Sequence, residues 1–330
     1  MFSNDGNKYK ELFESINNDL ELIEKKLKNN LDSNVLLIPE VGRYILESGG
    51  KRLRPLLFLL ASRLCGYYGS RIISLASVFE FIHTATLLHD DVVDNAELRR
   101  GNASVNSVWG NEISVLVGDF LLSKSFSIMV EDGDVNIMKV IANATTKMAE
   151  GEALQLTKNG DINITEEDYI SVIINKTAVL ISAVCEVSAI LANSFPYIEK
   201  TMADFGLNLG IAFQLIDDSL DYISQESEFG KKRGNDLQEG KITLPLIHAL
   251  RNCSPREKER ITSIVLSEEI KKENFMEVME LIFKYDGVSY TFNRAREYID
   301  KAKNMLNIFP DSPDKQHLLI LADYILERKK

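Results

Sequence analysis

Residues 70–94 read SRIISLASVFEFIHTATLLHDDVVD, and their spacing predicts one long buried helix that ends in carboxylates. Ile73, Ala76, Phe79, Ile82, Ala85 and Leu88 step by three, and further apolar residues occupy the other faces, so no side of this helix suits water. The same three- and four-residue spacing recurs along the chain, with only 18 glycines and 7 prolines among 330 residues to interrupt it. The expectation is an all-α fold. Turn signals at 48–50, 65–66, 100–102, 131–134, 159–161, 227–240 and 310–313 divide the chain into helices, and Thr165, three residues ahead of Asp168, marks a new helix start. No fixed-period repeat, low-complexity linker or shift in composition separates a second domain, so residues 1–330 read as a single helical domain.

Working outward from this helix, composition narrows the class. Hydrophobic residues make up 45% and charged residues 26%, enough apolar side chain to build a core. A formal charge of −11 disfavours nucleic acid as a partner, because tracking a phosphate backbone requires a basic stripe. Cys65, Cys185 and Cys253 have neither disulfide-framework nor zinc spacing, which fits a reducing cytoplasm. The polar amino terminus has no secretory-signal pattern. The longest apolar runs, such as 56–62 and 113–122, fall short of the roughly 20 residues of a spanning helix. A soluble cytoplasmic protein with no transmembrane segment is expected.

Asp90, Asp91 and Asp94 fall at helical positions i, i+1 and i+4, so Asp90 and Asp94 share one face with Asp91 beside them. Three like charges among Leu87, Leu88, Val92 and Val93 are costly unless a cation offsets them. Asp217, Asp218 and Asp221 in QLIDDSLDY repeat the spacing, again after an apolar run. Oxygen-only ligands select a hard cation, and Mg²⁺ prefers one or two carboxylates completed by water and phosphate oxygens. Two matched clusters therefore predict a diphosphate held through two or three Mg²⁺ ions.

Basic residues answer these carboxylates. Lys51, Arg52 and Arg54 follow the pair Gly49-Gly50, where the backbone can bend and offer N–H groups to an anion, which suits a second diphosphate held without metal. His83 lies about two helical turns before Asp90 and supplies a further donor. Arg99 and Arg100 follow Asp94, and a guanidinium takes two phosphate oxygens at once. Lys231 and Lys241 belong to a Gly- and Lys-rich segment after the second cluster, where a loop could close over phosphates.

Together GGKRLRP, LLHDDVVD followed by RRG, GDFLL, Lys176-Thr177, FQLIDDSLDY, GKKRGND and EGK resemble the trans-isoprenyl diphosphate synthase family, in order from about residue 40 to 250. The resemblance implies an all-helical bundle with a central active-site cavity, and a homodimer, for which 113–122 offers apolar surface. It implies that Asp90 and Asp94, assisted by Asp91, bind Mg²⁺ on an allylic diphosphate, with Asp217, Asp218 and Asp221 as the second metal cluster. Arg99, Lys176, Lys231 and Lys241 would steady that diphosphate, while Lys51, Arg54, His83 and Arg100 would bind isopentenyl diphosphate. Thr177 and Gln214 would turn oxygen dipoles toward the allylic cation. One departure is visible: Ala103 stands where the family commonly has Pro, two residues after the glycine of RRG, which leaves that loop's stiffness open.

Product length should follow from what lies below the first cluster. Ala85 and Thr86, five and four residues before Asp90, are small; Ala85 lies about 7 Å and Phe79 about 16 Å along the axis, with Ile82 between them. An open upper channel predicts a long product, around octaprenyl, of the kind used for quinone side chains and handed to the membrane. A short-chain synthase, a terpene cyclase and a non-catalytic subunit are the alternatives. GGKRLRP and the second DDxxD speak against a cyclase, and two intact clusters against a subunit without catalysis.

Overall fold

The structure, a computed structural model, describes residues 6–50, 52–223, 234–267 and 270–328; Lys51 and Lys231 lie outside the described residues. Its helices are α1 (Gly6–Asn30), α2 (Leu37–Glu47), α3 (Leu53–Leu64), α4 (Arg71–Val93), α5 (Val105–Trp109), α6 (Asn111–Asp132), α7 (Val135–Lys158), α8 (Glu166–Ile173), α9 (Val179–Leu191), α10 (Pro196–Ile223), α11 (Asn235–Gln238), α12 (Leu244–Asn252), α13 (Pro255–Val265), α14 (Lys272–Lys284), α15 (Gly287–Met305) and α16 (Pro313–Glu327). Among the described residues, the strands are the two-residue β1 (Leu98–Arg99) and β2 (Asn102–Ala103), so the all-α expectation holds. Two compact units emerge, one of Met1–Asn143, Ala183–Ala203 and Leu306–Leu321, the other of Ala144–Ser182, Asp204–Met305 and Ala322–Lys330.

In the first unit α4 is the central element, packed most extensively on α6 and also on α3 and α1. Neighbours on several sides explain why its apolar residues show no single face: Leu75, Val78, Phe79, Phe81 and Leu88 are fully buried. The Phe58 ring of α3 meets Phe79 at 5.2 Å, tilted by 54°. Gly66, at φ +90°, ends α3 in the left-handed conformation. There the Gly66 N–H donates to Arg63 O and the Tyr67 N–H to Ser62 O, satisfying the last carbonyls before α4 begins.

In the second unit α12 packs on α15, α14 and α8. The predicted start at Thr165 is present as a capping box: Thr165 Oγ1 accepts from Asp168 N, and the Thr165 N–H donates back to Asp168. Between α8 and α9 the residues Ile174–Ala178 form a π-helical turn, which the hydrophobic spacing does not announce.

By length and composition alone, three helices are long enough and apolar enough to cross a membrane: Arg71–Val93, Asn111–Asp132 and the continuous Glu166–Leu191. This departs from the sequence expectation, which counted only uninterrupted apolar runs and missed helices whose few polar residues are spaced out. In α4 the reason for the apolarity is the core, since 67% of its most apolar window is buried. In α6 only 39% is buried, and Val115, Leu116, Phe126 and Val130 remain exposed.

Candidate active site

In the first unit, the carboxylates of α4 stand at its carboxy-terminal end. Asp94 caps the helix, its N–H donating to Asp90 O at 2.8 Å, and Asp90 and Asp94 are both partly exposed one turn apart. Asp91 differs from its neighbours. It is fully buried, and its Oδ1 accepts from Arg99 Nε at 2.8 Å and also from Arg99 Nη2, while its Oδ2 is buried with no hydrogen-bond partner. Among the described residues no group of three or more His, Cys, Asp or Glu side chains is gathered into a metal cage. A carboxylate-only donor set with one buried oxygen unused fits a hard cation whose remaining ligands come from phosphate and water.

Arg99 and Arg100 are positioned by a hairpin. Leu98 pairs with Ala103 and Arg99 with Asn102, and Arg100 and Gly101 make the two-residue turn with φ of 52° and 82°. Arg100 reaches the Gly49 carbonyl and lies against Gly50, where an added Cβ would meet its Nη1 at 2.7 Å. The Gly-Gly pair is therefore the bed on which this guanidinium rests.

The run after those glycines divides its cations between two tasks. Arg52, at φ 47°, turns back to Glu24, to Glu80 at 2.7 Å and to the Leu46 carbonyl at 2.6 Å, so it braces the fold. Arg54 is half-buried, with its Nε enclosed and unpartnered, and desolvation, with Arg100 nearby, pulls its pKa down to about 10 against the opposing pull of Glu80. His83 is held well below the ordinary imidazole range by burial first, and then by Arg54, Arg100, Arg99 and Arg52. It is thus a neutral ring among guanidinium groups. Arg52 and Arg99 are paired with carboxylates, whereas Arg54 and Arg100 are not in ion pairs among the described residues, and two such guanidinium groups around a donor-bearing imidazole suit an anion.

Below this end of α4, Ala85, Ile82 and Phe79 are buried, and Thr86 is half-buried with its hydroxyl donating to the His83 carbonyl at 2.8 Å.

In the second unit, Lys176 and Thr177 both lie in the π-helical turn. Two glycines clasp it: a Cβ on Gly151 of α7 would stand 2.5 Å from Lys176 N, and one on Gly210 of α10 would stand 2.6 Å from Ala178 Cα. Lys176 Nζ pairs with Glu152 at 2.6 Å and donates to Gln155. Thr177 Oγ1 donates to Gln214 Oε1 at 2.9 Å, and Gln214 Nε2 donates to Asp218 Oδ1 at 2.7 Å.

The three aspartates of the second cluster have separate surroundings. Asp218 is buried, its second oxygen accepting from the Tyr169 hydroxyl at 2.6 Å, and burial, then the charge of Asp236, pushes its pKa up to about 7. Asp217 keeps its side chain 55% exposed and pairs with Arg328 at 3.2 Å. Asp221 accepts from the Asp236 N–H at 3.2 Å, in the short helix α11. Lys241 follows that helix and pairs with Glu239 at 2.5 Å.

Arg328 and Tyr169 escaped the sequence reading. A terminal ERKK reads as a solvated charge run, yet Arg328 is buried, stacks on the Phe213 ring at 3.9 Å and donates to the Phe213 carbonyl at 2.7 Å. Tyr169 looks like an ordinary apolar position, and only its distance to Asp218 marks it.

Residues 36–282 match the Polyprenyl synthetase family. The chain is 42% identical to octaprenyl diphosphate synthase of Escherichia coli over 94% of this chain and 96% of that protein. Among solved structures, a polyprenyl synthase from Caulobacter crescentus complexed with calcium and isoprenyl diphosphate superimposes with a TM-score of 0.93, at 39% identity over 97% of both chains. A decaprenyl diphosphate synthase from Rhodobacter capsulatus gives 0.92 at 39% identity, over 97% of this chain and 99% of that one. With the aspartate clusters and the helical architecture in agreement, the chain belongs to the polyprenyl synthetase family.

Proposed function

We propose that the protein condenses isopentenyl diphosphate with an allylic diphosphate to make a long-chain all-trans polyprenyl diphosphate, about octaprenyl, with residues 1–330 acting as one catalytic domain. The observation that carries this reading is on α4 and the loops against it. Arg54 and Arg100 lie beside His83, where they would bind an anion without metal, and the carboxylates Asp90, Asp91 and Asp94 stand two turns further along the same helix. An enzyme that only ionises an allylic diphosphate has no use for the first of these. One that joins two diphosphates needs both.

Asp90 and Asp94, with Asp91, and in the second cluster Asp217 and Asp221 would hold Mg²⁺, which neutralises charge on the departing diphosphate. Arg99, Lys176, Lys231 and Lys241 supply cations to the same leaving group, and preorganised charge of this kind is usually the largest catalytic term. Asp218, buried between Tyr169 and Gln214, instead orients the Gln214 amide, which in turn accepts from Thr177. In this reading those two side chains turn oxygen dipoles toward the allylic cation. As the C–O bond of the allylic substrate breaks, the double bond of isopentenyl diphosphate attacks that carbon, and a proton leaves to the released diphosphate. Lys51, Arg54, His83 and Arg100 fix the diphosphate of the attacking partner throughout.

A long product is supported by the small, buried Ala85 and by similarity to a relative named for an octaprenyl product. The exposed apolar residues of α6 suit a homodimer, and the enzyme would act in the cytoplasm and pass its product to the membrane. The deciding experiment incubates pure protein with Mg²⁺, farnesyl diphosphate and labelled isopentenyl diphosphate, and measures product length. Products centred near 40 carbons are expected; a ceiling of 20 carbons would sink the long-chain reading.

A further inference from the structure

Tyr44, on α2, is bound to the hairpin that carries Arg99 and Arg100. Its hydroxyl donates to the Ala103 carbonyl at 2.8 Å, across 59 positions of sequence. The ring is fixed edge-on against Trp109, at 5.0 Å and 75°. We propose that Tyr44 is a positioning residue for isopentenyl diphosphate, holding the hairpin tip to α2 so that Arg100 stays aimed at the anion site. This rests on the reading of Arg100 as a ligand of that diphosphate.

The hairpin needs such an anchor. Two strands of two residues are too short to be stable alone. The turn at Arg100-Gly101 makes Arg99 and Asn102 the hydrogen-bonded pair beside the loop, which leaves Leu98 and Ala103 as the open pair, with peptide groups pointing away from the ladder. The next contact, Ser104 N–H to Glu97 O at 2.9 Å, keeps this alternation. The Ala103 carbonyl is therefore free to accept from outside, and Tyr44 is what it meets.

Other contacts also act on the hairpin, and none replaces this one: Arg99 is tied to Asp91 Oδ1 at 2.8 Å, which fixes the Arg99 strand independently of Tyr44. Ser104 Oγ donates to Ala96 O at 2.6 Å, and Asn106 Nδ2 donates to Ala96 O at 3.1 Å and to Asp91 O at 3.2 Å, so they fix its base. At the tip, Arg100 itself reaches Gly49 O, but a phosphate that engages the guanidinium competes with that contact. The Tyr44 bond uses no group that a substrate phosphate would compete for. It also supplies from outside the stiffness that a proline at position 103 would supply from within, because Pro fixes φ and an open-pair residue has no ladder N–H to lose.

The test compares wild type with Tyr44→Phe, Arg100→Gln, Ala103→Pro and the double variant Tyr44→Phe/Ala103→Pro, measuring KM for each substrate and kcat. Phe keeps the ring on Trp109, so the fold is retained. The expected result is a roughly two- to tenfold rise in KM for isopentenyl diphosphate in Tyr44→Phe, the worth of one hydrogen bond. The allylic KM and kcat should stay near wild type, and the double variant should recover. If Arg100→Gln raises that KM and Tyr44→Phe does not, the positioning role is wrong and the anion site stands. If Arg100→Gln leaves it unchanged, the site reading itself fails. A rise in both KM values together, or a deficit that a harmless Ala103→Pro does not relieve, would mean a merely structural contact. Should Ala103→Pro impair the enzyme alone, amide exchange over residues 97–104 decides: faster exchange in Tyr44→Phe supports the proposal and unchanged exchange overturns it.

Discussion

Arg328 and Asp217 form an ion pair at 3.2 Å in which the arginine is buried and the aspartate half-exposed, so the last described turn of the chain is tied to the second aspartate cluster. The guanidinium also lies on the Phe213 ring and satisfies the Phe213 carbonyl, one turn before Asp217. Arg328→Ala removes a cation–π contact, a second hydrogen bond to the Phe213 carbonyl and the ion pair with Asp217, a loss of about 1–3 kcal/mol. Thermal unfolding should register it, and Arg328→Lys should recover only part, because an ammonium cannot stack as a guanidinium does. An unchanged midpoint in Arg328→Ala would show that the tail does not brace Asp217.

A second expectation concerns the π-helical turn. The contacts that a methyl group on Gly151 or Gly210 would make are with backbone, Lys176 N and Ala178 Cα, which cannot rotate away as a side chain does. Gly151→Ala or Gly210→Ala must therefore shift the turn that carries Lys176 and Thr177, at a cost of about 1–3 kcal/mol. Turnover should fall at least tenfold, since a displacement of an ångström at a positioning group is enough for that. Wild-type kcat in the Gly210→Ala protein would remove the case for a functional π-turn.

Arg52 and Arg54, two residues apart, should fail differently. Arg52 pairs with Glu80, whose side chain is only 5% exposed, so Arg52→Ala strands a buried carboxylate, and breaking such a pair costs about 3–5 kcal/mol. Arg54 has no carboxylate partner of this kind, and Arg54→Ala relieves crowding among cations while weakening the anion site. Chemical denaturation should single out Arg52→Ala, and KM for isopentenyl diphosphate should single out Arg54→Ala. The reverse assignment would overturn the division of labour.

These contrasts also mark how far the sequence can be read. The helical setting of Asp90, Asp91 and Asp94 and the cap at Thr165 are local, decided by residues within one turn of each other, and both are legible from spacing. Arg52 and Arg54 cannot be told apart in the same way, because their separation depends on a left-handed residue at Arg52 and on Glu24 and Glu80, each 28 positions away. Asp90 and Asp91 are equivalent in the motif, yet one is partly exposed and the other buried on Arg99. Asp217 and Asp218 diverge likewise, through Arg328 and Tyr169. The π-turn has no signature in hydrophobic period, though the small residues that clasp it, Gly151 and Gly210, lie inside helices where glycine is otherwise unfavourable.

The last expectation is a pH dependence. His83 is held neutral, its pKa well below 6.5, by burial and by the guanidinium groups of Arg54, Arg100, Arg99 and Arg52. In the unfolded chain the same imidazole takes a proton as pH drops below 6.5, so there the unfolded state binds more protons than the native one. Stability from this group is therefore present above pH 6.5 and is lost as pH falls toward the depressed native value, at about 1.4 kcal/mol per pH unit. His83→Gln keeps a donor but has no proton to gain, so the variant should lose stability less steeply than wild type between pH 6.5 and 5. Added diphosphate should reduce the difference, because an anion among these cations favours the charged ring. Unfolding curves for both proteins at half-unit steps of pH make the comparison, and parallel acid limbs would mean that His83 is not buried among those cations in solution.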